Sequence, residues 1–545
     1  MEMVTPNFRA VSLFRIFLSL YLAIDFTVNV APYFSELYGN EGILPISALQ
    51  SDEEIWGHAY IFPVLDAIEN IGLKGVFLLL YPVALLCFGI GYLTQYATIA
   101  VFALNSYLIW RNPYLISGAD KLAHLLLLWC LFLPLGRYYS IDALLDPKPK
   151  TQHYFATGFM VARGQLASLY VFSALFKLLG QPWRDGTALG LALGDSIFGG
   201  TIVGTSLTER FQVLLMIANY GILVFQLSFP FMVYCPWHNN LLRGIALALA
   251  GLMHLSFILC LNVGGFPYLC LAMLLLVVPD AWLHGLGRAS RLWHERLSSF
   301  CDPVSKAAEN IARGARNFLT FLALSLKSSF RVFDFAADNS YRFYGIAQGP
   351  SSKRKASIAL SRLGQTVCGV LGALALFSNA ESIWSAGHGP LSPRFDHILA
   401  AMQVRQEWSL FAPIPTHYLW NFRIVGKLDD GSELSYSHFV SGPIKIFEHE
   451  DRIEFASRRW LKYFTNLDQF GPATWSALGK YLCSRFKWAG SPHLLAVDSV
   501  DYVVTRTSIV SGYPNMIEHH EFPCKDGNWL HVEARTISLY LVHLS

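Results

Sequence analysis

Nine stretches of this chain are apolar over a length that a bilayer dictates. They fall near residues 11–31, 72–93, 96–111, 119–136, 157–179, 211–235, 241–261, 264–283 and 356–378. A backbone in lipid must satisfy its own hydrogen bonds, so it crosses as a helix of about 20 mostly apolar residues. The expected fold is therefore a polytopic α-helical membrane bundle of about nine transmembrane helices, with a C-terminal extracytoplasmic α+β domain. The third run is short enough to be a half-span. Composition agrees, with 53% hydrophobic and only 14% charged residues, where soluble domains carry about a quarter. The net charge of +3 is too small to imply nucleic acid as a partner. Nine cysteines lie mostly inside apolar runs without zinc spacing, and they read as small hydrophobes rather than a metal site. Cys483 and Cys524 would pair if their segment faces an oxidising compartment.

The first run, Val11 to Ala31, contains Arg15 and Asp25 and lacks a small-residue cleavage site, so it reads as a retained helix. The chain divides into a bundle of eight helices (1–285), a basic linker with amphipathic helices (286–355), a ninth helix (356–380) and an outer domain (381–545). The linker carries Arg288, Arg291, Arg296 and the run Lys353-Arg354-Lys355 with few acids, which places it in the cytoplasm. The N-terminus is then cytoplasmic too, because eight crossings return the chain to its starting side, and the ninth sends residues beyond Glu381 outside. Within the linker, "NFLTFLALSLKSSFRVF" reads either as an interfacial helix on anionic lipid or as a solvated basic stretch. After Glu381 charges are frequent and balanced. "WNFRIVGKLDDGSELSYSHFV" reads as strand, turn and strand, and "DYVVTRTSIV" and "NWLHVEARTISLYLV" as further strands. "DRIEFASRRWLKYFTNL" and "PATWSALGKYLCSRFKW" read as helices, the second opening on Pro472. The domain has no Asn-x-Ser/Thr sequon, which favours a bacterial inner membrane as its place.

Polar residues inside spans are costly, and each is a site hypothesis. On the fifth run Arg163, Tyr170 and Lys177 recur every seven residues and share one helix face with Ala167, Ser173 and Ala174. A small and polar stripe faces protein or a cavity. The alternative is snorkelling, since Arg163 and Lys177 are about 21 Å apart by helical rise and each could reach its own interface. On the first run Asp25 and Asn29 lie one turn apart, and Asp25 needs a base, either Arg15 or one from another helix. "RNPYLISGADKLAH" breaks at Asn112-Pro113 and restarts at Ser117, which has capping-box spacing to Asp120; Asp120 and His124 lie one turn apart. His254 sits near the centre of an apolar helix, out of snorkelling reach. "EHHEF" (518–522) is a weak metal candidate, because a strand would turn His519 and His520 to opposite faces.

These motifs together resemble the horizontally transferred transmembrane (HTTM) domain family, which is similar to the membrane part of vitamin K-dependent γ-glutamyl carboxylase. "YVFSALFKLLGQPWRDGTAL" matches its Tyr…Lys-Leu…Trp-x-x-Gly signature, "HLSFILCLNVGGFPYLCLAMLLLVVP" its late histidine-bearing helix, and "QEWSLFAPIP" the tail of bacterial members. "RYYSIDAL" keeps the family's Ser-x-Asp at Ser140 and Asp142, with a structural role expected. The resemblance implies an active-site lysine at Lys177 that deprotonates a reduced quinone (vitamin K or menaquinone-like). Oxygen then attacks, the strong base so formed takes a glutamate γ-proton, and CO2 adds. It also implies His254 and Asn112 as substrate-placing residues. One departure stands out: a histidine that follows the asparagine in the carboxylase is Pro113 here.

A neutral amine in a dry pocket can act as general base on a phenol-like hydroxyl. Trp183 would suit a flat quinone arriving from the membrane lipids. The expected function is thus a quinone-coupled modification of a peptide, protein or lipid-borne substrate. Lys177 and His254 would be catalytic, with Asn112, Tyr170, Arg163, Trp183, Arg15, Asp25 and Asp120 around them. The competing expectation is a non-catalytic membrane protein that binds lipid or peptide and recruits a partner through its outer domain. A transporter is a weaker third reading, since no inverted repeat stands out.

Overall fold

Each of the nine apolar runs holds a helix, and the residues that end those helices explain where they depart from expectation. The computed structural model describes residues 7–51, 64–65, 73–145, 157–194, 201–279, 282, 351–388, 399, 404–415, 418–428, 433–435, 457–466, 471–488, 497–508 and 514–524. Helix α1 (Phe8–Asp25) opens on Asn7, whose side chain accepts from the Arg9 and Ala10 amides. It continues through a π turn (Phe26–Val30) and a 3-10 turn (Ala31–Tyr33) into Phe34–Tyr38. Then come α2 (Leu73–Ile90), α3 (Thr94–Arg111), α4 (Gly118–Cys130), α5 (Thr157–Leu179), α6 (Gln212–Tyr234), α7 (Asn239–Cys260), α8 (Phe266–Leu274) and α9 (Ser351–His388).

Two bounds are corrected. The fourth run was expected to reach residue 136, but α4 stops at Cys130, ahead of Pro134, which cannot donate to a continuing helix. The eighth ends in a 3-10 turn (Leu275–Val277) before Pro279. Among the described residues, five helices are long and apolar enough to cross a bilayer: Phe8–Tyr38, Thr157–Leu179, Gln212–Tyr234, Asn239–Cys260 and Leu363–Ala386. Gly75–Ile90 and Phe266–Val277 are apolar but shorter. Together they make the chain an integral membrane protein, mostly helical with few strands.

Helix α5 is the hub. It packs on α6 and α9, and also meets α4 and α8. Its span is 61% buried, against 28% for α7 and for α9, so α5 faces protein while the others turn leucines and valines such as Leu79, Val224 and Leu252 outward. That is why the polar stripe can lie on α5 without meeting lipid.

Among its described residues the C-terminal part holds four antiparallel strands in the order β2-β1-β3-β4, with β1 (Tyr418–Leu428), β2 (Glu433–Ser435), β3 (Val497–Ser508) and β4 (Pro514–Pro523). Two helices accompany them, α10 (Arg458–Thr465) and α11 (Pro472–Trp488). Ser457 caps α10 through the Trp460 amide. A disulfide joins Cys483 on α11 to Cys524 after β4. One apolar core runs from the bundle into α10 and α11, through Trp460, Tyr463 and Leu478. The expected linker up to residue 350, its amphipathic helix and the strand "NWLHVEARTISLYLV" lie outside the described residues; residues 351–355 belong to α9.

Candidate functional site

Residues seven apart advance 700° around a helix, about 20° short of two full turns, so the α5 triad stays on one side. All three members are buried: Arg163 is 5% exposed, Tyr170 0% and Lys177 5%. They form three stations along the bundle. Arg163 donates through Nε to the Leu276 carbonyl at 2.6 Å, with its guanidinium over the Phe159 ring. Tyr170 Oη lies 2.7 Å from His254 Nε2 and packs edge-on against Phe229. His254 Nδ1 is buried with no partner among the described residues.

At the third station the Lys177 amine does not run out to an interface. It turns back one helical turn, donating to the Ser173 carbonyl at 3.3 Å and to Ser173 Oγ, and lies 5.2 Å from the Trp183 ring centre. No carboxylate contacts it among the described residues. Trp183 belongs to a short helical turn, Gln181–Asp185, that opens on Pro182 and closes at Gly186 with φ +80°, a value that favours glycine. Asn219 of α6 donates to the Trp183 carbonyl at 2.9 Å, leaving its own buried Oδ1 unpartnered among the described residues.

The segment 404–415 closes this station. The Phe411 carbonyl accepts from Trp183 Nε1 at 2.8 Å. The Pro413 carbonyl comes so near Gly180 that a β-carbon there would sit 1.6 Å from it. The segment is fastened by Gln406, which exchanges bonds with Gln165 (2.7 and 3.1 Å) and accepts from Asn379 (3.0 Å) and Trp408 (3.0 Å). Sequence reasoning noticed "QEWSLFAPIP" but assigned it no place at the site. Its pairing of a glutamine and a tryptophan with an otherwise apolar stretch was the available signal.

A second group gathers at the same end of the bundle. Asp25 and Asp120 both bond Arg459 of α10, at 2.7 and 2.6 Å. Of the two bases expected for Asp25, Arg15 or one from another helix, the structure selects the second. Arg15 and Asp25 are about 15 Å apart along α1, and Arg15 instead donates to the Leu135 (3.1 Å) and Tyr139 (2.5 Å) carbonyls. Burial works against the Arg459 charge, yet Asp120 and Asp25 beside it hold its pKa well above the ordinary arginine value. Asn29 donates to Asp25 at 2.9 Å, and the Ser117–Asp120 capping box is formed. His124 turns away from Asp120 to Asn105, at 3.3 Å. Asn112 donates to the Leu37 carbonyl at 2.7 Å, so its amide holds the stretch after α1. Arg459 was missed. Two carboxylates at one end of two spans required a base, and the Arg458-Arg459 pair of an amphipathic helix could have supplied it.

A cavity of about 910 Å³ opens beside this ion triad, lined by Asp25, Asp120 and Arg459 at one end and by apolar residues of α1, α7 and α8. Neither Lys177 nor His254 lines it, although Phe257, which does, packs edge-on against the His254 ring at 5.8 Å. The structure thus brings Tyr170 to His254 and Trp183 to Lys177, sets Asp25 with Asp120, and leaves Asn112 and Arg15 in separate packing roles. His519 and His520 stand in β4, opposite Val503 and Tyr502, and no metal-holding group forms among the described residues.

The HTTM domain model matches residues 10–282, just over half of the chain. No solved structure matches it.

Proposed function

The chain belongs to the HTTM domain family, whose likeness to vitamin K-dependent carboxylase is general to its members, and from that premise we propose a membrane-embedded, quinone-coupled enzyme with Lys177 as general base. The observation that carries this reading is the amine itself: buried, bonded among the described residues only to Ser173, and lying against Trp183. A lysine held this way is poised to take a proton from a phenolic hydroxyl. The surroundings suit a reduced quinone of the vitamin K or menaquinone type. The Trp183 face offers a surface for a flat ring, and Asn219 Oδ1, unpartnered among the described residues, offers an acceptor for a hydroxyl. When bound, such a quinone supplies the electrons for O2 chemistry. Lys177 accepts the proton, Ser173 fixes the amine, and Phe411 and Pro413 shield that end of α5. Tyr170 and His254 form the next polar station, where His254 Nδ1 remains available to a peptide, protein or lipid-borne substrate.

The same reading puts the N-terminus in the cytoplasm, about nine spans in a bacterial inner membrane, and residues 381–545 outside. Arg15, Arg163 and Arg243 gather toward one end of the bundle, as the positive-inside rule expects of the cytoplasmic side. The Cys483–Cys524 disulfide fits an oxidising compartment for the other.

A binding protein without turnover is the second reading, favoured by the cavity that neither Lys177 nor His254 lines. The test compares protein and lipid masses from cells with the wild-type chain, Lys177→Ala, Lys177→Arg or none. A product present only with wild type supports the base, and a gain of one carboxyl group makes it a carboxylase despite Pro113. Full turnover by both variants overturns the base; no product in any strain favours the binding reading.

A further inference from the structure

The cavity beside Arg459 is built as a slot for an amphiphile. From Asp25 down to Phe17 on α1 it runs about 12 Å by helical rise. Its α1 wall includes Phe17, Leu20 and Ile24, each more than half exposed (51%, 55% and 56%), so the slot opens sideways where lipid would lie. Its volume falls within the range of small-molecule sites. At the polar end the two carboxylates share Arg459 between them. Arg458 and Lys462, one turn apart on α10, also line the cavity there, so its described lining carries three cationic side chains to two carboxylates.

The Arg458 guanidinium is held in place rather than loose. It donates to the Asn262 carbonyl at 2.7 Å and to Asn262 Oδ1, which leaves N–H groups over for a ligand. The backbone beneath it turns at Gly264, φ +67°, where a side chain would be strained. Next to it, a β-carbon on Gly265 would meet the Tyr21 hydroxyl at 2.1 Å. Tyr21 lines the same cavity. The "NVGGFP" turn therefore does three things at once: it anchors a cation, makes the bend and clears room for a hydroxyl.

We propose that this slot binds an anionic membrane amphiphile, with its chain against the α1 and α8 walls and its phosphate or carboxylate head on Arg458, Lys462 and Tyr21. No lining residue belongs to the Lys177 station, so the proposal stands or falls apart from the quinone reading.

The test uses the full chain in nanodiscs of phosphatidylglycerol mixed with phosphatidylcholine, followed by native mass spectrometry of retained lipid. Wild type should retain phosphatidylglycerol preferentially, and Arg458→Gln should lower that preference about fivefold, the effect of one cation near an anionic lipid. Leu271→Trp, which fills the slot but keeps the charges, should lose retained lipid of both kinds. Each variant is checked for an unchanged melting temperature. Equal retention of the two lipids by wild type overturns the proposal. So does an Arg458→Gln preference equal to wild type, or full retention by a folded Leu271→Trp. Displacement of the retained lipid by inorganic phosphate alone would also overturn it, since the apolar slot would then contribute nothing.

Discussion

The two ends of the bundle use polar side chains in opposite ways. At one end arginines close the structure onto itself. Arg15 reaches the Leu135 and Tyr139 carbonyls, Arg163 the Leu276 carbonyl, and Arg243 the Val277 carbonyl at 2.7 Å. Those carbonyls lie at or beyond helix ends, where the helix itself offers no donor. Asp142 does the complementary work, accepting from the Leu93 (2.9 Å) and Thr94 (2.8 Å) amides at the start of α3. At the other end Asp25 and Asp120 reach across elements to Arg459, with a cavity beside them, and Lys177 folds back onto Ser173 of its own helix. Residues 404–415 and α10 cover that end and contribute to it. An intramembrane charge is thus a functional pointer only where its bonds do not already complete a neighbouring backbone.

The comparison breaks most sharply at Arg459. Arg459→Ala leaves two half-buried carboxylates without their cation, a loss of up to about 3 kcal/mol. The expected outcome is a clear drop in melting temperature in detergent and release of α10 to protease. Asp25→Asn combined with Asp120→Asn in the Arg459→Ala background should recover part of it, because neutral amides no longer demand a base. An Arg459→Ala protein that melts with wild type would mean the triad is solvated and the two ends are alike.

A smaller effect is expected at the fastening of residues 404–415. Gln406→Ala strips partners from Gln165, Asn379 and Trp408, at about 1–3 kcal/mol. Gly180→Ala forces the Pro413 backbone away, an overpacking cost of about 1–3 kcal/mol. Both should expose the segment to limited proteolysis and quench differently at Trp183, while Ala substituted at half-buried Ser409, whose hydroxyl donates to exposed Glu407, should not. If Gly180→Ala is neutral in melting and proteolysis, the close cover over Lys177 is not maintained in the membrane.

How much of this could be read beforehand follows from the range of each interaction. The α5 stripe was legible because seven-residue spacing is a property of one helix, and Arg163, Tyr170 and Lys177 are buried on it as that spacing requires. The capping box at Ser117 and the break at Pro113 were legible for the same reason. The partner of Asp25 was not. Arg459 lies more than four hundred positions away and joins α1 only through tertiary folding. Gln406 and Gly180 were equally opaque, since their meaning comes from a segment far along the chain docking on α5. Helix length was half legible: hydropathy continued past Cys130, but Pro134 cut α4 short.

The smallest effect is the one that tests whether the two ends are independent. Asp142→Ala removes the acceptor from two amides and from the Thr94 hydroxyl at 2.6 Å, a capping loss of about 1 kcal/mol. It should lower the melting temperature slightly and leave both lipid retention and the proteolysis of residues 404–415 unchanged. In the double variant with Arg459→Ala, the two losses should add to within about 0.5 kcal/mol, because the sites share no partner and lie at opposite ends. A larger coupling would mean that the arginine-closed end and the acid-and-base end move together. The closed end would then be part of whatever motion admits a ligand, rather than the fixed base against which the other end works.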